Sequence, residues 1–157
     1  PLLSPARPEY QIMGIANPFL GPIIAETMKT LGRRRAMVVH GAGTDEIAVH
    51  GDTLVWELKD GEITHYTLTP EDLGIGRHSL EDLRGGDGEE NARLMRATFS
   101  GEGPAAHLDA VAANAGAMFY LYGDDTLADG VEHAKQLLRD GTVNEWLRTH
   151  EESDYSV

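Results

Sequence analysis

The sequence contains no cysteine, so neither a disulfide framework nor a thiolate zinc site is available to it. That usage is permissive of a cytoplasmic location, which is the expectation carried forward. No apolar run approaches the length of a membrane span. Basic side chains are scarce: 13 Lys and Arg face 26 Asp and Glu, and a formal charge of −13 over 157 residues argues against duplex nucleic acid as a partner. The one basic run, Arg33-Arg34-Arg35, stands beside an expected helix end, where cations complement the dipole. Signatures of chemistry are missing too. Gly41-Ala42-Gly43 lacks the third glycine of a dinucleotide loop and the lysine of a phosphate loop. There is no Gly-x-Ser-x-Gly elbow. His40, His50 and His65 lie on separate expected strands, with no His-x-x-x-His pair for zinc.

What is present reads as one α/β domain. No signal-peptide pattern opens the sequence, which starts at Pro1 inside the extended-looking stretch Pro1–Pro8 and is expected to be the later part of something longer. Tyr10–Ile15 reads as a strand. Asn17-Pro18 is an N-cap followed by proline, opening a helix to about Leu31 with Ile24, Met28 and Leu31 at helical spacing and Gly32 as the stop. Ala36–His40 is short and almost wholly apolar, as expected of a parallel strand buried on both faces. Strand, helix and strand make a βαβ unit. Glu46–His50, Thr53–Leu58 and Glu62–Leu68 then read as strands, the last two joined by the hairpin signal Asp60-Gly61. Thr53, Val55 and Glu57 alternate against Leu54, Trp56 and Leu58, which makes Trp56 packing surface.

The remainder reads as helical. Thr69-Pro70-Glu71-Asp72 and Ser79-Leu80-Glu81-Asp82 resemble helix starts, and Asp87-Gly88-Glu89-Glu90 a capping box opening a helix through Leu94 and Phe99. Pro104 opens another, with Leu108, Val111, Ala112, Ala115, Met118 and Phe119 as its core stripe. Leu127, Val131, Ala134, Leu137 and Leu138 form a second stripe. Residues 151–157 read as a frayed acidic tail after a domain spanning 1–150. The expected class is therefore α/β: a partial sheet with a parallel βαβ unit, a β-hairpin section and C-terminal helices.

Asp45 and Glu46 are the residues most open to a chemical role. They follow an apolar strand through the glycine loop Gly41-Ala42-Gly43-Thr44, and beyond a strand end neighbouring side chains need not point to opposite faces. Mg²⁺ is commonly held by one or two carboxylates, with water and substrate phosphate completing its shell. On spacing alone, ordinary turn chemistry is the stronger reading. Gly85-Gly86-Asp87 is a second candidate, as a phosphate nest, but Asp87, Glu89 and Glu90 already place negative charge at that helix end and favour capping.

An ordered set of segments resembles anthranilate phosphoribosyltransferase: Tyr10–Ile15, Arg35–Gly41, Thr44-Asp45-Glu46, Asp60–Ile63, Tyr66–Gly74, Gly85-Gly86-Asp87, Glu90-Asn91-Ala92 and Asn114–Ala117. The resemblance runs from Pro1 to about Leu147, with Ser4 standing where the family usually has Asn. It implies the C-terminal domain of a nucleoside phosphorylase/phosphoribosyltransferase-like fold. The implied activity is transfer of a phosphoribosyl group from phosphoribosyl pyrophosphate to anthranilate in tryptophan biosynthesis, with Asp45 and Glu46 as the acidic pair that holds Mg²⁺ with the pyrophosphate. The family's Gly-Thr-Gly-Gly-Asp phosphate loop, its Lys-His-Gly-Asn segment and its anthranilate-binding arginine do not occur here. Neither does its N-terminal helical domain, which commonly supplies the homodimer contact. The chain alone is accordingly expected to be incompetent, and to expose a sheet edge and apolar faces to self-association. Two alternatives stay open: a pyrimidine nucleoside phosphorylase-like enzyme, and a non-catalytic acidic α/β binding module.

Overall fold

The computed structural model describes residues 2–123 and 125–151. Its centre is a four-stranded mixed sheet in the order β1 (Tyr10–Gly14), β2 (Arg35–Gly41), β3 (Thr53–Lys59) and β4 (Glu62–Leu68). β1 and β2 run parallel, joined by α1 (Gly21–Thr30), while β2–β3 and β3–β4 are antiparallel. The βαβ unit and the hairpin thus share one sheet. Asp60 and Gly61 both take positive φ, 51° and 79°, as the primed hairpin turn requires.

Alternation along the strands feeds two cores. Ala36, Val38, Trp56 and Leu58 face α1 and pack with its Ala25 and Met28. Met37, Val39 and Val55 face the other way, toward α3 (Ala105–Tyr122) and α4 (Leu127–Arg139). Trp56 is packing surface, its ring stacked on His65 at 4.7 Å between centroids. The approach to α1 is tighter than expected. Asn17 caps a single 3-10 turn, Pro18–Leu20, by accepting the Phe19 N–H, and α1 begins only at Gly21, whose missing Cβ leaves room for the Trp56 ring.

Several expectations are corrected. Glu46–His50 is a loop, because β3 and β1 already occupy both edges of β2; Ile47, Ala48 and Val49 are consecutively buried without alternation. Thr69 and Ser79 do make reciprocal capping bonds with Asp72 and Asp82. Each opens only one 3-10 turn, Glu71–Leu73 or Glu81–Leu83, before Gly74 at φ 70° or extended Arg84 ends it. The stripe on α3 is met in part: Ala112 is fully buried, and Ala115, Met118 and Phe119 pack against the core from half-buried positions. Its buried line is Ala106, Ala112, Ala113, Gly116, Ala117 and Leu121, whereas Leu108, Val111, Ala115, Met118 and Phe119 are half-buried. At the crossing of α3 with α4 the approach is closest at Gly116, where a Cβ would meet the Val131 backbone. On α4 the burial of Val131, Ala134 and Leu138 agrees with the sequence pattern.

α2 (Gly88–Phe99) is capped by Asp87, which accepts the Glu90 N–H. A last helix, α5 (Thr142–Glu151), lies beyond the two helical stripes of the sequence pattern, and it takes Glu151 from the expected tail; the remainder of that tail lies outside the described residues. The arginine run also differs from expectation, since only its first member stays with α1, through an N–H donated to the Met28 carbonyl. The Arg33 side chain is buried against Gln11, Arg34 reaches the Tyr10 hydroxyl, and Arg35 donates to the carbonyls of Tyr120 and Leu121 at the end of α3. The helix dipole that Arg35 complements is therefore that of α3.

Candidate functional site

The parallel strands β1 and β2 end side by side, with Gly14 opposite Val39 in register, so their carboxyl ends open on one edge of the sheet. Ligands in open α/β sheets gather at such edges. Here the chain leaves β2 through a closed turn: Gly41 N–H donates to the Thr44 carbonyl at 3.0 Å, and Thr44 returns both its N–H and its hydroxyl to the Gly41 carbonyl at 2.9 and 2.7 Å. Ala42 and Gly43 adopt φ 47° and 94° to close it.

Asp45 and Glu46 follow, and both are exposed. Their backbone is not free. A Cβ on Gly14 would run into the Asp45 carbonyl, and one on Gly41 into the Glu46 carbonyl, so the loop folds back directly over the ends of β1 and β2. Downstream, the Asn114 side chain accepts the Ile47 N–H at 3.0 Å and donates to the Ile47 carbonyl at 3.2 Å. Ala48 N–H goes to the Thr53 hydroxyl at 3.0 Å, and the Val49 carbonyl accepts His78 N–H at 2.8 Å. His78 is in turn held by Asp109, which also pairs with Lys135. Arg77 joins Asp52, at the far end of the loop, to Glu71. That pairing holds the Glu71 carboxyl below the usual carboxylate range.

Among the described residues neither the Asp45 nor the Glu46 carboxylate has a hydrogen-bond or ion-pair partner. Nor, among those residues, do three or more His, Cys, Asp or Glu side chains gather as a metal cluster. The arrangement is a fixed backbone carrying two free oxygen donors, which suits a hard cation whose remaining ligands are water or phosphate.

The other candidates are occupied structurally. His40 Nδ1 meets the Ile15 carbonyl, His50 Nε2 the Ala42 carbonyl, and His65 Nδ1 the Val55 carbonyl. At Gly85-Gly86 the nest is filled from within, because Asn91 accepts the Gly86 N–H at 2.9 Å and donates to the Gly86 carbonyl at 3.1 Å. In the sequence Asn91 and Asn114 stand out only as landmarks of the resemblance. Both are side chains substituting for missing backbone partners, and an asparagine's spacing carries no mark of that role.

A sequence profile described as the a/b domain of the glycosyl transferase family matches residues 1–144. The chain belongs to that family. A relative from Corynebacterium aurimucosum, named anthranilate phosphoribosyltransferase, is 67% identical over 156 residues, covering 99% of this chain and 45% of its own length. This glycosyl transferase family chain thus spans under half the length of the curated relatives it matches. A crystal structure of anthranilate phosphoribosyltransferase from Thermus thermophilus superposes with a TM-score of 0.79 at 41% identity, over 87% of this chain and 40% of that one. The Saccharomyces cerevisiae enzyme in complex with phosphoribosyl pyrophosphate and Mg shares the fold at a TM-score of 0.78 and 23% identity, over 88% of this chain and 41% of that one.

Proposed function

We propose that this chain is the C-terminal portion of an anthranilate phosphoribosyltransferase, residues 1–150 belonging to its α/β domain, and that Asp45 and Glu46 hold Mg²⁺ against the pyrophosphate of phosphoribosyl pyrophosphate. The observation that carries the reading is the acid pair itself: two unpartnered carboxylates on an anchored backbone at the carboxyl ends of β1 and β2, in a chain 67% identical to a relative of that name. Bound there, the cation would offset the charge that builds on the departing pyrophosphate as ribose C1 becomes oxocarbenium-like.

The chain's own part is to preorganise. The Gly41–Thr44 turn and the close approach at Gly14 hold the Asp45 and Glu46 peptides, so the carboxylates meet the ligand without a backbone rearrangement at the moment of reaction. Both acids are exposed, so their hold on a cation would strengthen when substrate covers the site. The phosphate loop and the anthranilate pocket belong to the part of the enzyme this chain does not span. We place the complete protein in the cytoplasm as a homodimer; none of the described helices is long and apolar enough to cross a membrane.

The test is Mg²⁺-dependent loss of anthranilate fluorescence with phosphoribosyl pyrophosphate present, for this chain alone and after adding the complementary part of the Corynebacterium aurimucosum relative. Activity only in the mixture is expected. Activity in the chain alone overturns the divided site; silence in both, with folding verified, turns the question to phosphorolysis of a pyrimidine nucleoside or to partner binding.

A further inference from the structure

We propose that Asn114, in the middle of α3, is a positioning residue that sets the orientation of the Asp45–Glu46 pair through the Ile47 peptide. The inference rests on the reading that those two acids hold the cation.

Asn114 lies 67 positions from Ile47 in sequence, yet spends its whole carboxamide there and on its own helix. Oδ1 accepts the Ile47 N–H at 3.0 Å, and Nδ2 donates to the Ile47 carbonyl at 3.2 Å and to the Ala110 carbonyl at 3.0 Å. The N–H it receives belongs to the peptide group whose carbonyl is that of Glu46. Holding that group fixes the plane from which the Glu46 side chain departs, and so limits the directions in which the two carboxylates can reach a shared ligand. Neither β2 nor β3 can do this, since each already has both edges taken. Ile47 itself is buried in a core cluster with the α3 residues Ala113 and Ala117, so its backbone groups cannot turn to water instead.

The Gly41–Thr44 turn holds the acids from upstream, and the other downstream contacts act further off: Thr53 holds the Ala48 N–H and His78 reaches the Val49 carbonyl. Asn114 is anchored in turn, because Arg35 ties the end of α3 to the start of β2. An apolar side chain at 114 would fill the space and leave two buried backbone groups unpaired. Outer partners that orient metal ligands characteristically change metal affinity by about 10–100-fold when removed.

The probe is Mn²⁺ alone, standing for Mg²⁺, with bound ion measured by loss of the free-ion EPR signal. Hydrogen exchange of the segment carrying Ile47 is followed in parallel, and the Asp45→Asn/Glu46→Gln double variant defines the part of the binding that belongs to the acid pair. Asn114→Ala is expected to weaken that part about tenfold or more and to speed exchange at Ile47. Asn114→Asp keeps an acceptor for the Ile47 N–H but sets a carboxylate oxygen against the Ile47 carbonyl; it should weaken binding while conserving shape, and it decides the matter if the alanine variant does not fold. Leu138→Ala, a core truncation on α4, should leave Mn²⁺ binding unchanged. Wild-type affinity in both Asn114 variants, or a loss equalled by Leu138→Ala, overturns the positioning role. Binding in the wild type that the Asp45/Glu46 double variant does not reduce overturns the metal reading itself, a separate failure.

Discussion

Gly116 of α3 and Gly130 of α4 meet backbone to backbone. A Cβ on Gly116 would sit 2.5 Å from the Val131 nitrogen, and one on Gly130 would run into the Gly116 carbonyl. The crossing brings α4 close enough for Val131 and Ala134 to join the core beneath α3, and it fixes the helix that carries Asn114. Gly116→Ala should therefore destabilise the fold by about 1–3 kcal/mol from forced displacement, less about 1 kcal/mol recovered in helix propensity. Denaturant midpoints with unchanged m-values are the measurement, and a stabilised variant would show that the two helices can separate freely.

Ala42 takes φ 47° without being glycine. The left-handed region costs an L-residue roughly 1–2 kcal/mol, part of which glycine forfeits again through unfolded-chain entropy. Ala42→Gly should thus be neutral to stabilising by about 1 kcal/mol, and Ala42→Val, β-branched at the same φ, should destabilise by more than about 1 kcal/mol. Matched thermal melts separate the two; equal melts would mean that the turn before Asp45 relaxes.

A buried polar knot predicts alkaline behaviour. Glu57, 6% exposed, accepts hydrogen bonds from the hydroxyls of Tyr66 and Tyr120, each at 2.8 Å. Burial, then the Glu57 charge, pushes the Tyr66 hydroxyl far above its ordinary value of 10.0, and burial also raises Tyr120. A raised folded pKa gives stability that is complete below the unfolded value and is lost as pH climbs toward the folded one. Stability should fall as pH rises beyond about 10, and Tyr66→Phe should flatten that fall. Denaturation at stepped alkaline pH checks it; an identical slope in the variant would remove Tyr66 as the cause.

Much of the architecture was legible because strand periodicity is local. Alternation along Thr53–Leu58 and the Asp60-Gly61 turn specify the hairpin without reference to anything distant. Glu46–His50 misled for the opposite reason: Ile47-Ala48-Val49 is buried by tertiary contact, and its backbone partners are Asn114, Thr53 and His78, which no local pattern announces. The stripe on α3 was legible only in part for the same reason: large apolar residues attract attention, while most of its fully buried line is alanine and Gly116, with Leu121 at its end. At the candidate site, Asp45 and Glu46 were visible as residues; the anchoring of their peptides over Gly14 and Gly41 was not, because it depends on how β1 and β2 lie together.

The outer edge of β1 carries no strand among the described residues, and Phe19 and Ile23 are 85% and 64% exposed on the neighbouring turn and helix. An open edge beside apolar side chains favours association. The chain alone should show concentration-dependent self-association in sedimentation experiments, suppressed when the complementary part of a relative is added. A compact monomer at high concentration would contradict this.

The acid pair offers a test that separates function from stability. Asp45 and Glu46 are exposed, and among the described residues neither forms an ion pair, so the fold gains no favourable side-chain contact from either charge. Two adjacent carboxylates in a chain of formal charge −13 repel each other and their surroundings. Asp45→Asn with Glu46→Gln should therefore leave stability unchanged or raise it by up to about 0.5 kcal/mol, while removing Mg²⁺-dependent activity from the mixture with the complementary part. Melting curves and anthranilate consumption are measured on the same preparations. Loss of activity with stability intact assigns the pair to chemistry; a large loss of stability would mean that the carboxylates hold the loop, and retained activity would mean that the cation is held elsewhere.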